Sequence, residues 1–275
     1  MTISVDTVAN AVRRRHLGLC VLVKEPTLMH TEIASLREIH DRLNGAVDPA
    51  PTQRPMNRNG ASIHLPKPRT LDSPFTALVH ARRSRYDFDP SGELSVDSVG
   101  TLLGTALGLG RRIEAYGDRE YPLSVAPTAG GLRTRDTFLF ATRIAGIRPG
   151  IYRYDMADHS LQLVSAVDPA VALAELYAQS EFAALPAASL ALTARLDVAL
   201  AKYPPRHYRT VHVDAGIGVQ NLYLTATAMG MACCAVSGFS DPAAESVLGL
   251  DAAAIVTMLV AVGPPRITGL EESSV

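Results

Sequence analysis

The chain has 275 residues, 47% hydrophobic and 19% charged, with a formal net charge of −1. That length allows one large domain or two modest ones, and that apolar fraction allows a sizeable core. Near-neutral charge without a basic excess or a polybasic patch argues against nucleic acid and against an anionic membrane surface, and no apolar run approaches the roughly 18 residues that span a bilayer.

Residues 1–46 read as a small N-terminal module to which no role can be assigned. Three arginines precede the run LGLCVLV, but Lys24-Glu25-Pro26 follows it in place of a small-residue cleavage site. The run therefore reads as a buried strand over 19–23 and not as a signal peptide, and a cytoplasmic location is expected. An amphipathic helix is predicted over 31–44, capped by Thr31, with Ile33, Leu36, Ile39 and Leu43 on one face and Gly45 ending it. Residues 47–73 carry Pro49, Pro51, Pro55, Pro66 and Pro68 and read as an extended linker.

From residue 74 onward the pattern is regular. Ser73 caps a helix that takes Pro74 at its first position. Ser95 caps a second, over 96–107, with Val96, Val99, Leu102, Leu103, Ala106 and Leu107 at helical spacing. Gly108 and Gly110 end it, and GLGRR at 108–112 reads as that terminus. A strand is predicted over 137–143, then a hairpin of 150–154 with 161–164, a helix over 169–179 and a strand over 189–194. The helix over 211–230 is apolar on nearly every side, so burial all round is expected, in a core or in a subunit interface. Strands over 232–237 and 256–263 flank a helix over 241–248. Interleaved helices and strands give an α+β class, with helices around one sheet.

Five clusters could carry chemistry. Arg82, Arg83, Ser84 and Arg85 suit a phosphate, because guanidinium groups bind its oxygens bidentately; a solvated basic helix end is the alternative. Pro127, Thr128, Ala129 and Gly130 lie in a small-residue turn that lets backbone approach a planar ring, or is an ordinary turn. Lys202 beside Tyr203 offers acid-base chemistry, since an ammonium favours a neighbouring phenolate. Adjacent side chains reach one site only in a loop or at a helix end, and Pro204-Pro205 makes a loop the expectation. Gln220 and Asn221 are amides in the apolar helix and need partners, on a ligand or on another helix. Cys233 and Cys234 read as small core residues. With Cys20 they make an odd count without metal-binding spacing, so neither a disulfide framework nor a zinc site is expected. No dinucleotide or P-loop glycine pattern and no serine-hydrolase elbow is present.

Taken together, RRSRYDF at 82–88, APTAGGLRT at 126–134, PGIYRYDMADHSL at 149–161, KYPPRHYRTVHVDAGIGVQNLYLTATAMG at 202–230 and AVSGFSD at 235–241 resemble the nitroreductase-like flavoenzymes. More narrowly, they are similar to the dehydrogenases that oxidise thiazolines and oxazolines in peptide natural-product assembly. The resemblance covers roughly residues 75–265 and implies an FMN-binding domain over 74–275. The implied fold has a mostly antiparallel central sheet surrounded by helices, with the long helix buried at a homodimer interface. It implies that Arg82, Arg83, Ser84 and Arg85 hold FMN phosphate and ring edge, joined by Arg266 at the phosphate. Pro127, Thr128, Ala129 and Gly130 would line the isoalloxazine, with Gln220, Asn221, Ser237 and Gly238 near the ring. Lys202 and Tyr203 match the pair assigned acid-base duty. Thr128 stands where serine is common, and Pro204-Pro205 replaces a glycine-containing stretch.

The implied function is FMN-dependent azoline oxidation in a ribosomal or carrier-bound peptide, with the flavin reoxidised by dioxygen. The peptide substrate, a second copy of the chain and a cyclodehydratase or other biosynthetic protein are the expected partners. Two alternatives stand beside it. One is a nicotinamide-dependent nitro- or quinone-reductase. The other is a non-catalytic scaffold of a peptide-modifying complex that docks through residues 1–70.

Overall fold

The computed structural model describes residues 74–266, so the strand and helix expected in residues 1–46, the linker over 47–73 and the cap at Ser73 lie outside the described residues. In chain order the elements are helix α1 (Pro74–Ala81), strand β1 (Leu94–Ser95), helix α2 (Val96–Leu107), strands β2 (Leu109–Ala115), β3 (Asp118–Ser124), β4 (Arg135–Ala141), β5 (Ile144–Ala145), β6 (Gly150–Asp155) and β7 (Ser160–Ser165), helix α3 (Pro169–Leu176), strand β8 (Ala188–Arg195), helices α4 (Leu196–Lys202) and α5 (Tyr208–Ala228), strand β9 (Ala232–Val236), helix α6 (Asp241–Leu248) and strand β10 (Ala254–Gly263).

Six of the strands form one sheet in the order β7-β6-β4-β8-β10-β9, and every neighbouring pair is antiparallel. β8 lies between β4 and β10, with Leu190 opposite Leu139 on one side and Val260 on the other. Its near-continuous apolar sequence follows from burial on both faces. Side chains alternate across the pleat. Leu139, Leu190, Leu192, Val260 and Val262 pack against α2 and α5, whereas Phe138, Phe140, Ala191 and Leu259 pack with residues of α3 and α6. The expected α+β class and largely antiparallel sheet are what the chain adopts.

Local chemistry sets the helix ends. Ser95 accepts the Ser98 N–H at 3.0 Å at the start of α2. Asp168 accepts the Ala170 N–H at 2.9 Å before Pro169 opens α3. Ser240 caps α6, and Gly249 closes it in the left-handed conformation with φ 63°.

Two expectations are corrected. α3 stops at Leu176 rather than near 179, because Tyr177 turns extended, bridges Phe239 and donates a buried 2.8 Å hydrogen bond to Ser189. GLGRR is more than a helix end: Leu109 opens β2, which pairs with β3 through a two-residue turn at Tyr116-Gly117, both with positive φ (54° and 79°). The expected burial of α5, in a core or in a subunit interface, is met within one chain on part of its circumference. Val211, Ala215, Gly218, Val219, Leu222 and Ala226 are buried, while Val213 (60% exposed), Gly216, Ile217 (36%) and Gln220 form an open stripe along the other side.

Candidate functional site

The turn over 126–131 is fixed by polar groups from several elements. Thr128 Oγ1 donates to the Leu132 carbonyl at 2.6 Å, and the Ala129 N–H donates to Asp214 Oδ2 at 2.9 Å. Arg135 donates to Ser124 Oγ at 2.8 Å and to the Ala126 carbonyl at 3.2 Å. Asp214 is buried within α5, and its charge partly offsets the burial that lowers the Arg135 pKa. Gly130 and Gly131 both lie at positive φ (64° and 68°), a conformation that glycine takes without steric cost.

Lys202 and Tyr203 meet that turn. Lys202 is the last residue of α4, and Tyr203 caps the helix by donating its N–H to the Ala199 carbonyl at 3.0 Å. The pair thus sits at a helix end, with Pro204 following, and not within a free loop. A Cβ on Gly130 would lie 2.5 Å from Tyr203 Oη and 3.1 Å from Lys202 Nζ, so both polar atoms point at the side of Gly130 where a side chain would be. The Tyr203 ring stacks on His207, with centroids 4.1 Å apart. Lys202 Nζ donates to Tyr116 Oη at 2.7 Å, and Tyr116 in turn donates to the Gly130 carbonyl. The hydrogen bond to Tyr116, with a smaller one to Tyr203, holds the lysine ammonium above its ordinary pKa.

The arginine cluster lies elsewhere. Past α1 the chain runs extended beside β9, where Arg85 N donates to the Cys233 carbonyl at 2.9 Å. The Arg82 guanidinium lies 5.3 Å from the centre of the Tyr223 ring. Ser84 Oγ is 3.0 Å from Tyr223 Oη, which also accepts the Ala235 N–H at 2.7 Å. Arg85 grips the Asp87 carboxylate through two hydrogen bonds, of 2.6 and 3.1 Å, while Arg266 donates its N–H to the Asp87 carbonyl at 2.6 Å. Arg85, with smaller help from Arg266, holds the Asp87 carboxyl below the usual carboxylate range. Among the described residues no carboxylate pairs with Arg82 or Arg83. Arg83 instead donates to the carbonyls of His80 and Arg82 at 2.6 and 2.9 Å.

The remaining candidates are spread around this frame. Ser237 is exposed just past β9, and the Gly238 carbonyl accepts the Ala178 N–H at 2.9 Å, which anchors the strand end. Gln220 belongs to the open stripe of α5. Asn221 spends its amide on the Ala106 carbonyl at 3.1 Å, an interhelical bond to α2. Cys233 and Cys234 are buried, and burial pushes the Cys233 thiol up to about 12. The sequence reasoning missed Tyr116, Arg135, Asp214 and Tyr223. A carboxylate in an otherwise apolar helix was the available signal for Asp214, because a buried charge requires partners.

The site residues thus form two clusters. One is anchored to α5 through Asp214 and the other through Tyr223, nine residues later. At 3.6 residues per turn these positions are two and a half turns apart, on opposite sides of the helix and about 13 Å apart along it. The Arg82 cluster has the charge for a phosphate, and the Gly130 turn has the small residues that let a flat ring approach backbone. The residues therefore fit an FMN as two half-sites that face away from each other within one chain.

Residues 79–264 match the sequence profile of the Nitroreductase family. The chain belongs to the nitroreductase family. It is 27% identical over 135 residues to a Methanocaldococcus jannaschii protein named as nitroreductase MJ1384, an alignment covering 49% of this chain and 68% of that one. Among solved structures, a protein of Anabaena variabilis named as a nitroreductase superposes with a TM-score of 0.59 at 26% identity over 70% of this chain; the match spans only 38% of that longer chain. A chain from the E. coli microcin synthetase McbBCD complex with truncated pro-MccB17 bound shares the fold, with a TM-score of 0.63 at 19% identity over 90% of this chain and 94% of its own.

Proposed function

We propose that this nitroreductase-family chain is an FMN-dependent dehydrogenase that oxidises thiazoline or oxazoline rings to thiazoles or oxazoles in a peptide. The carrying observation is the convergence of Lys202 Nζ and Tyr203 Oη on Gly130, where they fill the space a side chain would take. An exchange of hydride alone needs no such base; aromatising an azoline requires removal of a ring proton as well. Tyr203 Oη accepts that proton in its phenolate form and becomes the phenol. Lys202 lies with its ammonium 5.2 Å from the centre of the Tyr203 ring and supplies the counter-charge for that phenolate. Stacking on His207 fixes the ring that carries this oxygen.

FMN, bound by the two half-sites, supplies the acceptor for the hydride that leaves the ring carbon, and dioxygen is the proposed final acceptor. Because the half-sites face opposite sides of α5, we assign the complete site to a homodimer. Arg82, Arg83, Ser84, Arg85 and Arg266 of one copy would hold the phosphate, and Pro127, Thr128, Ala129 and Gly130 of the other would line the ring, with Gln220, Asn221, Ser237 and Gly238 nearby. The open stripe of Val213, Ile217 and Gln220 supports the same assembly, since an apolar helix face calls for a cover. Structural likeness to a chain of a peptide-bound synthetase complex supports a peptide substrate and biosynthetic partner proteins such as a cyclodehydratase.

The test is an absorbance spectrum of purified protein, flavin identification after heat release, and incubation with a thiazoline peptide. Released FMN with conversion to thiazole supports the proposal. The second reading, a nicotinamide-dependent reductase, draws on the relative named as a nitroreductase. Rapid anaerobic bleaching of the flavin by a nicotinamide donor, without azoline turnover, would favour it. A protein that takes up no flavin would leave the scaffold reading.

A further inference from the structure

We propose that Tyr116, at the tip of the β2–β3 hairpin, is a positioning residue of this site: its phenol ties Lys202 to Gly130 and so holds the ammonium beside Tyr203. The inference rests on reading Lys202 and Tyr203 as the acid-base pair.

Two independent observations meet at this residue. The first is backbone. A two-residue hairpin turn with both central φ angles positive is built for asparagine, aspartate or glycine. Gly117 fits that rule; Tyr116, at φ 54°, does not. A bulky side chain in the left-handed region is strained, and such strain persists where the side chain is needed. The second is the hydrogen-bond chain. A lysine ammonium has three donors and no acceptor. Its 2.7 Å bond to Tyr116 therefore uses a lone pair of the phenol oxygen, and the single phenol proton goes to the Gly130 carbonyl.

This arrangement separates the duties of the two tyrosines. Tyr116 commits its phenol proton to a backbone carbonyl. Tyr203 Oη lies against Gly130, and its residue is only partly buried, which leaves it to meet a substrate proton. The ammonium stands between them, 4.9 Å from the centre of one ring and 5.2 Å from the other. The ring of Tyr116 is itself braced against Tyr121, with centroids 5.0 Å apart. The groups facing Lys202 Nζ are thus Tyr116 from the hairpin and Tyr203 from its own segment, with Gly130 beside them. Of the two phenols, Tyr116 contributes more to retaining the lysine proton.

The chain has only three lysines, Lys24, Lys67 and Lys202, so Lys202 can be followed directly. The experiment is trace acetylation with acetic anhydride across a pH series, read by mass spectrometry of the Lys202 peptide. It is run on wild-type full-length protein, Tyr116→Phe and Tyr203→Phe. In parallel, kcat and KM for a thiazoline peptide are measured, with FMN content per chain. The expected result is a wild-type Lys202 that reacts only above the ordinary lysine range, and a Tyr116→Phe variant whose Lys202 reacts at lower pH. That variant should keep its FMN and its KM and lose about 10-fold in kcat, whereas Tyr203→Phe should lose about 100-fold or more. An unshifted acetylation profile, or an unchanged kcat, overturns the inference. If wild-type protein oxidises no azoline, the functional reading fails, and the acetylation series still decides whether Tyr116 holds Lys202. If turnover needs Tyr203 and ignores Tyr116, the functional reading stands and this inference falls.

Discussion

Asp214 and Tyr223 stand two and a half turns apart on α5, so the carboxylate that holds the Ala129 amide and the phenol beneath Arg82 face opposite sides of one helix. Under the proposed function, neither cluster alone would make a complete flavin site. Two copies of the chain packed along the open stripe of α5 would bring a cationic cluster of one against a glycine turn of the other.

That geometry makes a complementation test decisive for the shared site. Co-expressed, differently tagged copies carrying Arg82→Ala plus Arg83→Ala on one chain and Tyr203→Phe on the other should form a heterodimer with one intact site of its two. Each homodimeric variant should be inactive. Heterodimers as inactive as both parents would place the whole site within one chain.

Gly130 offers a sharper local probe. A methyl group there would stand 2.5 Å from Tyr203 Oη in a backbone conformation with φ 64°. Gly130→Ala should cost about 1–2 kcal/mol in stability through the left-handed conformation. It should also lower kcat by about 100-fold through displacement of the phenol. Thermal melts and steady-state kinetics check both. A variant with wild-type kcat would show that Tyr203 does not act from this position.

Much of this was legible in the sequence. The helix over 241–248 and the cap at Ser95 follow from local rules: a Ser or Asp cap, a proline at the start, a glycine at the end. Lys202 and Tyr203 were identifiable as a pair because they are adjacent. Their partners were not, because Tyr116 is 86 residues away in a turn that its own type disfavours. Arg82 and Gly130 read as parts of one site, since a list of motifs carries no information about sides of a helix. That they face apart emerges only from the contacts of Asp214 and Tyr223. The surroundings of α5 were legible only in part for a related reason: its apolar stripe specifies that a cover is needed, and not which chain supplies it.

Asp214 should matter for folding as well as for the turn. Asp214→Ala removes the acceptor of the Ala129 N–H and the charge that partly offsets Arg135 burial. A loss of about 2–3 kcal/mol is expected from the groups left unsatisfied. Urea unfolding followed by circular dichroism measures it; a change within experimental error would mean the turn is held by its other contacts.

The Arg85–Asp87 pair should show itself at acid pH. The folded carboxyl titrates below its unfolded value, so the pair's contribution is present above the ordinary carboxylate range, about 4. It is lost as pH falls through the lowered folded value. The melting temperatures of wild type and Asp87→Asn should therefore differ at neutral pH and converge below about pH 4. A gap that widens on acidification would contradict the assignment of the shift to Arg85.

The most direct measurement is the mass of a thiazoline-containing peptide after aerobic incubation with purified, FMN-loaded protein. The account expects loss of two hydrogen atoms per ring, abolished by Tyr203→Phe while the flavin spectrum stays intact. An unchanged peptide mass with FMN bound, or turnover that survives Tyr203→Phe, would contradict it.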